Sequence, residues 1–181
     1  FGIASGKYYF EMKVVNEGNT DYEFGIVGAA GTSTSSWMGS SGSYGYAYES
    51  NAELRANGTT VDPWGSTYDD GDILGCAFDL DNNKIYFSIN GTFQNSGDPT
   101  SGATGTGAIA LTAPASTVEG GYYFAVGDSH TETTTHLANF GAAYPAAISS
   151  GNTDANGYGN FEYSVPSGYY SLCTQNLAQY G

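Results

Sequence analysis

The sequence has 181 residues and a mass of 18.9 kDa, which fits one ordinary globular domain and leaves no room for a second sizeable one. Four Lys and Arg stand against eighteen Asp and Glu, a net charge of −14. That balance excludes nucleic-acid binding through phosphate neutralisation and adhesion to anionic lipid through a polybasic patch. No apolar run approaches the ~18 residues of a membrane-spanning helix. Twenty-seven Gly are about twice the usual share and signal many turns, while 16 Tyr, 9 Phe and 2 Trp exceed what a disordered polar chain carries. Such acidity with so little Lys suits a protein kept soluble by self-repulsion in a salty exterior. The chain opens at Phe1 with neither Met nor a charged leader, and reads as a portion of a longer protein.

Period-two alternation runs through the chain, with no helical period of useful length and no internal repeat. Residues 7–15 alternate Tyr8, Phe10, Met12 and Val14 against Tyr9, Glu11 and Lys13, and residues 22–28 repeat the pattern with Tyr22, Phe24 and Ile26. A stretch rich in Gly, Ser, Thr and Ala follows at 29–43. Residues 44–49 then set three Tyr on one face. Each alternating run reads as a half-buried antiparallel strand. Residues 73–78 (ILGCAF) are apolar on both faces, which predicts a central strand covered on both sides, with Cys76 as a buried free thiol. Two cysteines, Cys76 and Cys173, are too few for a disulfide scaffold. A turn of Asp and Asn at 79–83 leads into a strand at 84–90, and Asn90-Gly91 is a strong hairpin signal. A second long Gly/Ser/Thr-rich stretch occupies 96–117. Runs 122–127 and 133–140 are expected to form a further hairpin around Asp128-Ser129-His130. Many short strands separated by turn signals indicate a sandwich or barrel.

Residues 71–91 (GDILGCAFDLDNNKIYFSING) resemble the central motif of the SPRY domain, and Ser5-Gly6-Lys7-Tyr8-Tyr9-Phe10-Glu11 resembles that family's first strand. Residues 22–28 and Ala138-Asn139-Phe140-Gly141 follow in the expected order, so the resemblance spans about residues 3–141. It implies an all-β, two-sheet antiparallel β-sandwich of the concanavalin A-like jelly-roll class, used for binding rather than catalysis. Residues 165–177 (VPSGYYSLCTQNL) are similar to a closing segment found after SPRY-like domains in tail and surface proteins of aquatic phages. Ala178-Gln179-Tyr180-Gly181 depart from that pattern.

Chemistry beyond binding finds little support in the residues. A retaining glycosidase needs two carboxylates about 5–5.5 Å apart. The nearest pairs are Glu49 with Glu53, which lacks an intervening Asp, and Asp79 with Asp81, which lies in a turn. Adjacent residues in a tight turn cannot arrange Asp128-Ser129-His130 as a triad, and His130 and His136 lack further ligands at zinc-site spacing. Asp69-Asp70-Gly71-Asp72 and residues 79–83 group oxygen ligands of the kind calcium takes, yet neither fits an EF-hand. Asn57-Gly58-Thr59 and Asn90-Gly91-Thr92 match the glycosylation acceptor and read as turn sequences. Residues 35–46 combine Trp37 and Tyr46 with Ser and Gly, the composition of a paratope, and Trp64 and Tyr68 come from another turn-rich stretch.

These readings assign residues 1–145 to the sandwich, with two long Gly/Ser/Thr-rich loops, and residues 146–181 to an extension that packs on it or leads to a further segment. The expected function is that of a non-enzymatic module on a virion surface, in a phage fibre, tail or capsid decoration. It would attach to a host-surface glycan or protein or to neighbouring virion proteins, through Trp37, Tyr46, Trp64 and Tyr68. No cofactor, metal, nucleic acid or membrane insertion is expected, and a Tyr-rich surface serves a homo-oligomeric contact as readily as a receptor site. The alternatives are a glycan-hydrolysing concanavalin-like domain and a purely structural packing domain.

Overall fold

Aromatic and β-branched residues at every second position commit one face of each strand to a shared core. The computed structural model describes residues 2–16, 22–29, 36–128, 133–142 and 148–181. In chain order its strands are β1 (Lys7–Asn16), β2 (Tyr22–Val27), β3 (Tyr46–Glu49), β4 (Leu54–Ala56), β5 (Thr59–Val61), β6 (Ile73–Asp79), β7 (Lys84–Ile89), β8 (Thr92–Phe93), β9 (Ile109–Ala110), β10 (Tyr123–Asp128), β11 (Thr135–Asn139) and β12 (Tyr170–Ser171). The first sheet runs β11-β1-β6-β7-β8, with β9 also on β7 and β12 on β1; the second runs β10-β2-β3-β4-β5. All these pairings are antiparallel except β1–β12, where Tyr8 and Tyr9 lie beside Tyr170 and Ser171 in parallel. The protein is the all-β two-sheet sandwich that the alternation implies.

The inner faces meet in an aromatic core. Phe10 lies 5.2 Å from Phe24, 5.0 Å from Phe124 and 5.7 Å from Phe140, centroid to centroid. Such pairs add about 0.5–1.5 kcal/mol each beyond the area they bury. On β6, Leu74, Cys76 and Phe78 point into this core, and Cys76 is buried and free. Asn90 and Gly91 take φ of 48° and 78°, and Asn57 and Gly58 take 44° and 93°. These are the left-handed pairs that a two-residue hairpin turn demands, and they close β7–β8 and β4–β5.

Three sequence expectations need correction. Runs 122–127 and 133–140 do not form a hairpin: β10 pairs with β2 and β11 with β1, so the chain crosses from one sheet to the other between them. The crossing sets Phe124 edge-on to Phe140 at 5.0 Å across the core instead of side by side on one sheet. Residues 96–117 do not form an open loop either, because Pro99, Ile109, Leu111, Pro114 and Thr117 are buried and β9 joins the first sheet. A seven-residue helix, α1 (Thr174–Tyr180), ends the chain, too short for a helical period to stand out. Among the described residues no helix is long and apolar enough to cross a membrane.

The outer face of the first sheet is covered as well. Tyr9, Ala77 and Tyr86 pack with Phe161 and Tyr169 from the C-terminal segment. Buried Glu11 accepts the Glu162 and Tyr163 backbone N–H groups at 3.0 and 2.9 Å and the Tyr9 hydroxyl at 3.1 Å. Asp154, also buried, accepts Ser171 N–H, Ser171 Oγ–H and Asn176 Nδ2–H within 2.9 Å through one oxygen. Burial alone would raise its pKa. The hydrogen bonds from Ser171, Tyr158 and Asn176 outweigh that and hold the carboxyl below its ordinary range.

Candidate recognition surface

On β2 the alternation sends Tyr22, Phe24 and Ile26 inward and leaves Glu23, Gly25 and Val27 outward. On β3 and β4 the outward residues are Ala47, Glu49 and Arg55. Gly25, Val27 and Ala47 form a small, apolar patch on this outer face, beside the charged Glu23, Glu49 and Arg55, and such a patch fits a covered face rather than a wetted one. The cover is the segment 36–45. Met38 is buried against Val27 and Ala47, beside Tyr123 and Ala125 of β10. Two glycines permit the close approach. A Cβ on Gly39 would collide with Arg55, and one on Gly45 with the Met38 carbonyl. Polar contacts then pin the segment. Gly58 N–H donates to Gly39 C=O at 2.7 Å, Asn57 Oδ1 accepts Tyr44 N–H at 3.2 Å, and Ser43 Oγ lies 2.7 Å from the Met38 carbonyl.

Arg55 organises the charged part of the site. Its Nε donates to Glu49 Oε2 at 2.8 Å, a second nitrogen lies 2.8 Å from Glu53 Oε2, and a third donates to Thr60 Oγ1 at 3.3 Å. The half-buried Trp37 ring covers the guanidinium, 4.3 Å from its centroid, a cation–π contact. Glu23 is 2 % exposed and Glu49 is fully buried. Glu23 Oε2 accepts Met38 N–H at 2.7 Å, while Glu23 Oε1 and Glu49 Oε1 are buried without a hydrogen-bond partner among the described residues. Burial pushes the Glu23 carboxyl up to about 7; the Met38 hydrogen bond and Arg55 oppose that rise and Glu49 adds to it. Burial likewise raises Glu49, against the pull of Arg55.

Of the four aromatic residues expected to form a binding surface, Trp37 alone lies on this outer face. Tyr46 belongs to the core, and its hydroxyl accepts Thr112 N–H at 2.8 Å. Tyr68, 3 % exposed, also belongs to the core. Its hydroxyl donates to Tyr48 C=O at 2.8 Å, and burial drives its pKa well above the ordinary value. Both are inward because their rings fill space between the sheets, which costs less than exposing them. Trp64 packs edge-on to Tyr48 at 5.1 Å and Phe87 at 6.1 Å, half in the core. The structure does not bring these four together.

The remaining candidates have structural partners. Glu49 and Glu53 both bind Arg55. Asp79 pairs with Lys7 at 2.8 Å and accepts Asn82 N–H at 2.9 Å, and Asp72 Oδ1 accepts Asn90 Nδ2–H at 2.7 Å. Among the described residues, no three His, Cys, Asp or Glu converge to hold a metal ion. Ser129 and His130 lie outside the described residues, and the half-buried His136 ring packs 5.1 Å from Tyr22. Sequence reasoning missed Glu23, Met38 and Arg55 as a unit. The available signal was Glu23 alone among Gly25 and Val27 on outward positions, an acid on a face otherwise built to be covered.

A family model of the SPRY domain matches residues 7–116, more than half of the chain. Ran-binding protein 9 of Danio rerio is 34% identical over 89 residues, which is 49% of this chain and 15% of that protein. Ran-binding protein 10 of Danio rerio and Ran-binding protein 9 of Mus musculus are each 35% identical over 89 residues, 15% and 14% of their lengths. The chain therefore matches only a small part of these relatives. The family model takes in β1 to β9, and with them the strands and the 36–45 segment that build the outer face around Arg55. The chain belongs to the SPRY domain family.

Proposed function

We propose that this chain is a protein-binding module whose contact surface is the outer face of the second sheet around Trp37 and Arg55. SPRY domains are protein-interaction modules, and the Ran-binding relatives support a binding role. The observation that carries the choice of surface is the Trp37–Arg55 stack, with Arg55 held by Glu49 and Glu53. Trp and Arg dominate interface hot spots, and an anchor already fixed in place loses little conformational freedom on binding. A narrower reading makes the partner a host-surface protein or glycan, or a neighbouring virion protein. It is supported by the acidity of the chain and by the likeness of residues 165–177 to phage closing segments; the relatives above do not bear on it.

Peptides selected from a display library on the whole chain test the surface. They are expected to bind Trp37→Ala at least tenfold more weakly, while Trp37→Phe keeps part of the affinity. Purified Ran, the partner in the relatives' name, is measured in the same assay. Selected ligands that bind Trp37→Ala unchanged move the contact surface elsewhere on the sandwich.

A further inference from the structure

Three carboxylates gather beneath and beside the segment that carries Trp37: Glu23 accepts the Met38 N–H, and Glu49 and Glu53 hold the Arg55 guanidinium. They come from β2, β3 and the turn before β4. Glu23 sits directly opposite Glu49 in the strand register, on the same outward face, where paired Cβ atoms lie about 4.5–5.5 Å apart. Against Glu23, β10 sets Gly127 and the covering segment sets Met38, neither of them ionisable. Arg55 is the one cation of the cluster. Its recorded hydrogen bonds go to Glu49 and Thr60 and its ion pairs to Glu49 and Glu53, so none is recorded on Glu23, and among the described residues one oxygen each of Glu23, Glu49 and Glu53 is buried without a hydrogen-bond donor. Three negative charges and one positive charge in a water-poor site leave a surplus of acceptors. A bound proton removes it.

We propose that this carboxylate cluster holds a proton at neutral pH and that losing it loosens the 36–45 segment, making the Trp37 surface pH-sensitive. The proton leaves for solvent water, and the cluster then carries one more unsolvated negative charge. Lifting Met38 off the sheet lets water reach Glu23 and relieves that charge, so the ionised state favours the open segment. With the proton bound, the segment stays closed and Trp37 stays over Arg55. The consequence for binding rests on the recognition reading above; the coupling of proton to segment does not.

Hydrogen exchange on the whole chain tests the coupling without any partner. Exchange is followed by mass spectrometry from pH 5.5 to 8.5 and corrected for the intrinsic rates, with peptides of β6 as the internal reference. Opening of 36–45 is expected to rise with pH up to roughly pH 7, by as much as about tenfold per pH unit, the slope of a single proton released on opening, and to level off above it, while β6 does not change. Glu23→Gln keeps a neutral side chain in place and flattens the profile. Glu53→Gln removes one negative charge from the more exposed rim, so the cluster gives up its proton more readily and the profile levels off at lower pH with a smaller total rise, which serves if Glu23→Gln does not fold. A flat wild-type profile in 36–45, or a Glu23→Gln profile that climbs like the wild type, overturns the proposal. If exchange responds as expected but selected peptides bind equally to Trp37→Ala, the switch stands and the recognition reading falls.

Discussion

Cys76 lies at the middle of β6 with no exposed surface, between Phe10 and Phe87 in the strand register. Burial raises its pKa far above the ordinary thiol value, so it is inert in the native state. Cys76→Ser puts a hydroxyl where no partner waits and is expected to cost roughly 1–3 kcal/mol, read from a denaturant melt. Fast labelling of Cys76 in native protein would contradict the burial. Glu23 has the opposite relation to pH from a salt-bridged acid. Its folded pKa of about 7 stands above the ordinary 4.5, so the folded state binds the proton more tightly than the unfolded state. The resulting stability is fully present below about pH 4.5 and is lost as pH rises through about 7. Relative to Glu23→Gln, the wild type is expected to lose about 2–3 kcal/mol between pH 5 and pH 8, measured as the shift in urea midpoint. Equal shifts in both proteins would remove Glu23 as the titrating group.

At the scale of elements, the two tryptophans separate surface from core. Trp37→Ala removes a cation–π contact and little packing, and is expected to leave the melt within ~4 °C. Trp64→Ala opens a space beside Tyr48 and Phe87 and costs about 2–4 kcal/mol, a fall of at least ~5 °C. Comparable melts for the two variants would mean that the core/surface assignment fails. The same contrast shows what a sequence discloses. Strands β1, β2 and β7 were legible because side-chain direction alternates with period two, β6 because it is apolar on both faces, and the Asn90-Gly91 turn because few residues tolerate its left-handed backbone. Tyr44, Tyr46 and Tyr48 alternate just as well, but periodicity states which side chains share a face and not which face is buried. Their neighbours Gly45 and Ala47 were the clue that both faces are covered. Strands β4, β5, β8, β9 and β12 have two or three residues each, too few for any period. The union of Glu23, Met38 and Arg55 joins positions far apart in sequence through one loop folding over a sheet. Local pattern marks Glu23 as an odd acid on an outward face but does not show that Met38 and Arg55 meet it.

The whole molecule is three layers rather than two. The second sheet covers the inner face of the first, and residues 148–181 cover much of its outer face, through Phe161 and Tyr169 on Tyr9, Ala77 and Tyr86. The seam is polar as well as apolar: Glu11 takes two backbone N–H groups from the segment, and Asp154 ties β12 to α1 through Ser171 and Asn176. Several buried aromatic faces at about 25 cal/mol per Å² represent several kcal/mol, comparable with the net stability of an ordinary domain. Ending the chain at residue 142 is therefore expected to expose an apolar sheet face on a protein that otherwise resists association through its charge of −14. The shortened chain should bind a hydrophobic dye, lose its cooperative melt or melt at least ~10 °C lower, and aggregate as salt screens its charge. Glu11→Ala, which keeps the full chain but removes the acceptor of the Glu162 and Tyr163 N–H groups, should lie between the two, with exchange rising first in 148–181. A shortened chain that melts cooperatively at the temperature of the full one would show that the sandwich stands on two layers, and that the C-terminal segment is a passenger on its outer face.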